Sequence, residues 1–451
     1  MILKNKKVVI IGLARSGVAV AQFATQRGAK VTVTDLKTKA ELQSYLKLLA
    51  PYKKIKYELG RHPLKTLLAA DLFVVSPGVP LTNPLIEQAV KKNKKIMSEI
   101  EFAFQFITVP IIAVTGTNGK TTTTMMIGEM LKNAKKKVFV GGNIGNALTN
   151  MLLSKEKYQV AVAEVSSFQL EHVSSFQPKV ALILNVTPDH LDRHGSMENY
   201  RKVKGRIFQN QRATDALILN ADDELVKTYA LESKSHAYFF GKGGLSEGQE
   251  GVYYKEGRFY LKTKELGREQ YVTDQVKVKG DHNKENFMAS LLAAKILKCS
   301  PEAIQTTLNN FQGVTHRLEY VKTRGYVEFY NDSKATNPYS VMRSLESFTK
   351  PLILIMGGRD KGCEFEILRP LIQQKVKNLI LLGEAKEKIN RAIGDYTETF
   401  LVGTLEEALF MAYQKSRAGD VILFSPGCSS FDMFKNYEDR GDRFKELLRD
   451  L

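Results

Sequence analysis

The stretch VPIIAVTGTNGKTTTT, residues Val109 to Thr124, decides how the chain is read. Its first half is a β-branched apolar run of strand length. A glycine-containing turn follows, and helical apolar spacing takes over through Leu131. A strand feeding a glycine turn that feeds a helix aims backbone N–H groups out of the helix N-terminus, and such a loop attracts anions. Within Gly116, Thr117, Asn118, Gly119, Lys120, Thr121 and Thr122, Lys120 adds a positive point charge and Thr121 a hydroxyl suited to Mg²⁺. The longer pattern GxxxxGK[ST] would need glycine at 114, where the chain has Val114, so this is a shortened phosphate cradle. The bland alternative is a Gly-Asn turn before a threonine-rich helix start.

The same rhythm recurs on both sides of this stretch. Upstream, KVVIIG (7–12) and VTVTD (31–35) flank a helical stretch around Val18 to Thr25, and DLFVVSPG (71–78) ends an apolar strand in a turn. Downstream, VFVGG (138–142), VAVAEVSS (160–167) and VALILNVT (180–187) have the β-branched content of a sheet covered on both faces. Around 241–275 the pattern becomes polar and glycine-rich and then alternates, which predicts an antiparallel hairpin, and ENFMASLLAAKILK (285–298) predicts a helix. PLILIMGG (351–358), KNLILLG (377–383), TFLVG (399–403) and DVILFSPG (420–427) begin the rhythm again. The expectation is an α/β protein of three domains. Residues 1–98 would be Rossmann-like, 99–312 P-loop ATPase-like around a parallel sheet, and 313–451 again Rossmann-like, with ligands at strand C-terminal ends.

Composition agrees with this. The 451 residues are 43% hydrophobic and 25% charged, which excludes general disorder. Three cysteines without CxxC spacing support neither a disulfide framework nor a cysteine zinc site. No apolar run reaches the ~18 residues that cross a bilayer, and no signal peptide is legible, so the expected location is the cytoplasm, without integral membrane association. The net charge of +18 favours encounters with polyanions of any kind. Its lysines lie in short clusters without the aromatic interleaving of single-strand binders, which argues against nucleic acid as a partner.

Other segments carry chemical groups. GLARSG (12–17) resembles a dinucleotide fingerprint but has Ala14 at the second glycine, and Asp35 stands where a ribose-binding acid would follow. Glu164 ends a strand, where it can either meet Mg²⁺ or cap the next helix. In NVTPDHLDRHG (185–195), His190 and His194 have i, i+4 spacing, but Pro188 and Gly195 leave little helix, which favours one histidine near Mg²⁺ and phosphate over a zinc pair. Lys204 looks like one more solvated lysine. Arg317, in HRLE, offers a planar fork for phosphate or carboxylate, and NDSKATN (331–337) is a donor-rich loop; either can be ordinary turn chemistry.

Taken in order, GTNGKTTT, EVSSFQLE, NVTPDHLDRHG, GDHNKEN, HRLE and NDSKATN resemble the Mur ligase family, ATP-dependent amide-forming enzymes of peptidoglycan synthesis. NDSKATN and SPGCSSFDMFKNYEDRG favour its D-glutamate-adding branch. The resemblance implies a monomeric ligase in which ATP phosphorylates the carboxylate of UDP-N-acetylmuramoyl-L-alanine and the amine of D-glutamate attacks the acyl phosphate. It implies two Mg²⁺ sites, with Mn²⁺ as a substitute. Thr121 and Glu164 would hold one ion, and His190 and Lys204 the second, with Lys204 carbamylated. Lys120 and Arg317 would neutralise phosphate. Asn283 and Asn286 would lie near adenine, and Asp332 and Lys334 near ATP. The uridine diphosphate substrate would meet Ser16, Asp35, Gly78, Asn143 and His190. D-Glutamate would meet Thr336, Lys361, Ser430 and Tyr437, the last replacing a phenylalanine seen in some members. Two other readings stand beside this one. A folylpolyglutamate synthase-like ligase would share the cradle but lack the first domain; a nucleic-acid-dependent ATPase would need a basic stripe with stacking aromatics.

Overall fold

The computed structural model describes residues 1–80, 82–278 and 280–450, and these form three sheets. In the first, β1 (Lys7–Ile11), β2 (Lys30–Asp35), β3 (Lys56–Leu59), β4 (Leu72–Val75) and β5 (Lys95–Ser98) are parallel in the order β3-β2-β1-β4-β5. Alternation along the strands fills both faces. Val8, Ile10, Val33 and Val74 enter one core, while Val9, Ile11, Phe73 and Val75 enter the other. Strand order reverses between β1 and β4, and that crevice lies beside the ends of GLARSG and DLFVVSPG.

The second sheet has nine strands in the order β14-β13-β12-β11-β10-β9-β6-β8-β7. They are β6 (Ile111–Thr115), β7 (Val138–Gly142), β8 (Val160–Glu164), β9 (Val180–Ile183), β10 (Ala216–Asn220), β11 (His236–Gly241), β12 (Gly251–Lys255), β13 (Arg258–Lys262) and β14 (Arg268–Val272). Strands β6 to β12 pair in parallel, and the predicted hairpin appears as antiparallel β12–β13, extended by β14. The helix expected from Glu285 starts at Asp281 and runs to Ile296.

The third sheet is ordered β15-β16-β20-β17-β18-β19. Its strands are β15 (Glu319–Arg324), β16 (Val327–Asn331), β17 (Leu352–Gly357), β18 (Val376–Leu382), β19 (Glu398–Leu401) and β20 (Val421–Gly427). Only edge strand β15 is antiparallel to its neighbour. Leu352, Leu354 and Met356 pack on one face of β17, with Ile353 and Ile355 on the other.

Packing groups these sheets into two compact units. One comprises Met1–Val186, Arg193–Thr273 and Glu285–Leu308; the other comprises Thr187–Asp192, Asp274–Lys284 and Asn309–Leu451. The first two sheets therefore share a unit, and the third sheet forms its own. No helix among the described residues is long and apolar enough to cross a membrane.

Candidate active site

Strand β6 lies between β8 and β9, with Val114 beside Glu164 and Thr115 beside Ile183 in the register. The chain leaves β6 through Gly116 (φ +153°) and Gly119 (φ +83°), and the helix Lys120–Asn133 begins at once. A Cβ on Gly119 would fall inside contact distance of Asn286 Oδ1 and 3.2 Å from Leu184 Cδ1. Asn185, just past β9, clamps the loop. Its Oδ1 accepts from the Asn118 N–H at 2.8 Å, its amide donates to Asn118 O at 3.2 Å, and its carbonyl accepts from the Thr117 N–H at 3.0 Å. Lys120 Nζ donates to Gly116 O and Thr117 O, each at 2.8 Å, so the ammonium sits over the cradle.

The carboxylate emerging from β8 meets this loop. Thr121 Oγ1 donates to Glu164 Oε2 at 2.7 Å, Asn143 Nδ2 donates to Glu164 Oε1 at 2.9 Å, and Glu164 is only 2% exposed. One buried carboxylate and one hydroxyl at a helix N-terminus form a hard-oxygen pair of the kind Mg²⁺ takes together with phosphate and water. Among the described residues no group of three or more His, Cys, Asp or Glu gathers as a zinc site would require. Thr122 lies buried in the same helical turn, and Thr123 Oγ1 donates to Asn286 Oδ1 at 3.2 Å, tying the helix to Asn286.

Lys204 is the largest departure from local expectation. Far from being solvated, it is 1% exposed at the end of the helix Met197–Gly205, with Nζ 4.4 Å from the ring centroid of Tyr200 one helical turn earlier. Tyr200 Oη also lies 3.3 Å from Thr117 Oγ1, which brings Lys204 to the cradle. His194 packs against Tyr200 and Phe168 and bonds Ser167 Oγ at 3.0 Å, a structural role. Sequence reasoning singles out neither Asn185 nor Tyr200. Tyr200 is accessible to it through the i, i+4 relation to Lys204; Asn185 is marked by nothing but its place after an apolar strand.

Near the first sheet, Asp35 shapes its own surroundings. Its Oδ2 accepts from the Leu13 N–H at 2.7 Å and its Oδ1 from the Lys37 N–H at 2.9 Å. Ser16 is half-buried in the first turn of the helix Arg15–Gln26, and Gly78 is exposed in the turn after β4. Asn143 donates its N–H to Glu164 O and its side-chain amide to the Glu164 carboxylate, and two residues on, Gly145 O accepts from Arg15 Nη1 at 3.3 Å.

His190 and Asn283 fall in the second unit. His190 holds a left-handed backbone (φ +54°), and its Nε2 lies 3.6 Å from Asp189 Oδ2. In the same unit, three loops leave the C-terminal ends of β16, β17 and β20 and converge. Gly427 N–H donates to Ala335 O, and a two-way bridge joins Arg359 to Ser429, which brings the loop of Lys361 to that of Ser430. Lys334 Nζ lies 3.4 Å from the Tyr437 ring centroid, and Thr336 follows in the same loop. Asp332 is buried beneath them, accepting from Ser344 Oγ at 2.6 Å, Ser425 Oγ at 2.7 Å and the Leu318 N–H at 3.1 Å. Burial pushes its carboxyl up to about 6, against the pull of those donors and of Arg317 nearby.

Three family models match the chain in succession: the Mur ligase MurD-like N-terminal domain over residues 6–98, the Mur ligase middle domain over 114–294, and the Mur ligase glutamate ligase domain over 316–428. The chain belongs to the Mur ligase family. Among Mur ligases, it is 47% identical to the UDP-N-acetylmuramoylalanine--D-glutamate ligase of Citrifermentans bemidjiense, over all of this chain and 98% of that protein. The enzyme of that name from Bdellovibrio bacteriovorus is 45% identical over 99% of this chain and 98% of its own. Among solved structures, a pseudomurein peptide ligase type C from Methanothermus fervidus matches with a TM-score of 0.62 at 21% identity, covering 99% of this chain and all of that one. MurF from Acinetobacter baumannii gives 0.62 at 18% identity, over 99% of this chain and 93% of its own. These two likenesses concern the fold.

Proposed function

We propose that this Mur ligase is a cytoplasmic enzyme that joins D-glutamate to UDP-N-acetylmuramoyl-L-alanine at the expense of ATP, releasing ADP and phosphate. The observation that carries the reading is similarity of 45–47% along the whole chain to enzymes bearing that name. It is supported by a phosphate cradle whose lysine, hydroxyl and carboxylate positions are all filled. In this reading residues 1–98 bind the uridine diphosphate end, 99–312 bind ATP, and 313–451 bind D-glutamate.

The chemistry follows from the groups in place. Lys120 and the N–H groups at the start of its helix neutralise charge on the transferring phosphoryl group, which needs positioning and electrostatic help more than covalent assistance. Thr121 and Glu164 would hold Mg²⁺, which supplies further neutralisation of the phosphates when bound. Burying the Lys204 ammonium is costly unless the charge is compensated or changed. Carbamylation of its amine would change that charge and make it an anionic ligand for a second ion. In the second unit, Thr336, Lys361, Ser430 and Tyr437 line the converging loops that take D-glutamate. Its amine attacks the acyl phosphate carbon, and phosphate leaves.

The test is phosphate release with Mg-ATP and UDP-N-acetylmuramoyl-L-alanine, comparing D-glutamate with L-glutamate and meso-diaminopimelate. Release that depends on D-glutamate alone is expected. Activity only with a reduced folate and L-glutamate would overturn the substrate assignment and leave the phosphate site standing.

A further inference from the structure

Arg193 belongs to the short helix Leu191–His194, and its guanidinium uses all three nitrogens. Nη1 donates to Pro77 O at 2.9 Å and Nη2 to Val79 O at 3.0 Å. Nε donates to Glu171 Oε1 at 3.0 Å, and Nη2 also pairs with Glu171 Oε2. The guanidinium carbon lies 4.2 Å from the ring centroid of Phe168. The fork thus grips the two carbonyls that flank Gly78, from a base fixed by a carboxylate only 2% exposed.

Peptide geometry gives this grip a consequence. A trans peptide directs its C=O and N–H to opposite sides. With Pro77 O held on the guanidinium, the N–H of Gly78 is turned away from Arg193, in an exposed turn at the C-terminal end of β4, beside the point where strand order reverses. Nucleotides bind at that point in open parallel sheets. The grip is also continuous with the segment that carries Lys204. His194, next in the chain, packs on Tyr200, whose ring lies against Lys204.

We propose that Arg193 is a positioning residue that orients the Gly78 turn toward the diphosphate of the nucleotide-sugar substrate and ties that turn to the segment ending in Lys204. This rests on the substrate reading above. Only Arg supplies two parallel donors to the two carbonyls while remaining paired with a carboxylate, so lysine is a poor replacement.

The experiment compares the complete substrate with one shortened to N-acetylmuramoyl-L-alanine, which lacks the whole uridine diphosphate end. For Arg193→Lys, the KM for the complete substrate should rise about tenfold with kcat little changed, the signature of lost uniform binding. The KM values for ATP and for the shortened substrate should move less than about threefold, because neither uses the Gly78 turn. Glu171→Gln, which keeps the fork in place but loosens its base, should show the same selectivity at smaller size, and it serves if Arg193→Lys does not fold. Equal losses on complete and shortened substrates would reduce Arg193 to a structural strut and overturn the proposal, as would an unchanged KM in both variants. Wild-type protein that fails to turn over either substrate with D-glutamate would instead refute the substrate reading itself.

Discussion

Replacing Gly119 with alanine tests the phosphate cradle through backbone physics alone. Two costs can be read from the structure. At φ +83° an L side chain sits in the left-handed region, at about 1–2 kcal/mol. The new Cβ also meets Asn286 Oδ1 inside contact distance and Leu184 Cδ1 at 3.2 Å. Asn286 must therefore withdraw, weakening its bond from Thr123 Oγ1, for about another 1 kcal/mol. The sum, about 2–3 kcal/mol, should lower Tm of a unit this large by about 3–5 °C. Because the helix start carrying Lys120 and Thr121 moves with it, the KM for ATP should rise at least about tenfold, the factor that ~1.4 kcal/mol of lost binding represents.

A control separates the two costs. Gly257, in the turn between β12 and β13, has φ +76° with nothing within 4 Å of an added Cβ, so Gly257→Ala incurs strain without a clash. Calorimetry of both variants should give the smaller shift for Gly257→Ala, with phosphate release unaffected. Equal shifts, or a Gly119→Ala protein with normal ATP kinetics, would show that the tight contact with Asn286 plays no part in the cradle.

Other outcomes follow from the same geometry. Lys120→Ala should cut turnover by about 10²–10³ while leaving the fold intact, since it removes preorganised charge from the phosphoryl site; near-normal phosphate release would refute the assignment. Lys204→Ala should be severely impaired and partly restored by short carboxylic acids that replace the carbamate oxygens; wild-type activity without them would contradict that role. Asp332 is raised in the folded state to about 6, so its contribution to stability is present at low pH and is lost as pH rises through about 6. Asp332→Asn stays neutral, so its stability relative to wild type in denaturant titrations should be more favourable at pH 7 than at pH 4.5; the opposite trend would mean that the carboxylate is ionised throughout.

How much of this is legible in the sequence depends on how local the determinants are. The cradle is readable because strand, glycines, lysine and hydroxyl are contiguous in Val109 to Thr124 and each has a local job. Interior strands such as Leu352–Gly357 are readable for the same reason: burial on both faces makes them apolar throughout. The two edge strands of the first sheet are not. Lys56–Leu59 and Lys95–Ser98 border the first sheet with exposed lysines, a composition that protects an edge and erases the strand signal. Ala216–Asn220 is apolar but short, and periodicity alone does not assign such a run.

Lys204 shows where local reading ends. Its helix is so polar that a solvated face is the natural inference, and only the three-dimensional arrangement puts this lysine among the fully buried side chains. An ammonium in that position has to be compensated by neighbours, neutralised or chemically altered, because uncompensated burial of charge costs several kcal/mol. The Tyr200 ring is one such neighbour: a cation over a ring gains about 2 kcal/mol or more when desolvated. In the proposed reading, carbamylation would replace the cation with a delocalised anion whose oxygens are suited to Mg²⁺. The same burial places the Lys204 side chain against the Tyr200 ring and, through Tyr200, near Thr117 of the phosphate loop. A local pattern cannot show that placement, because it depends on a ring one helical turn away and on the sheet packed against it.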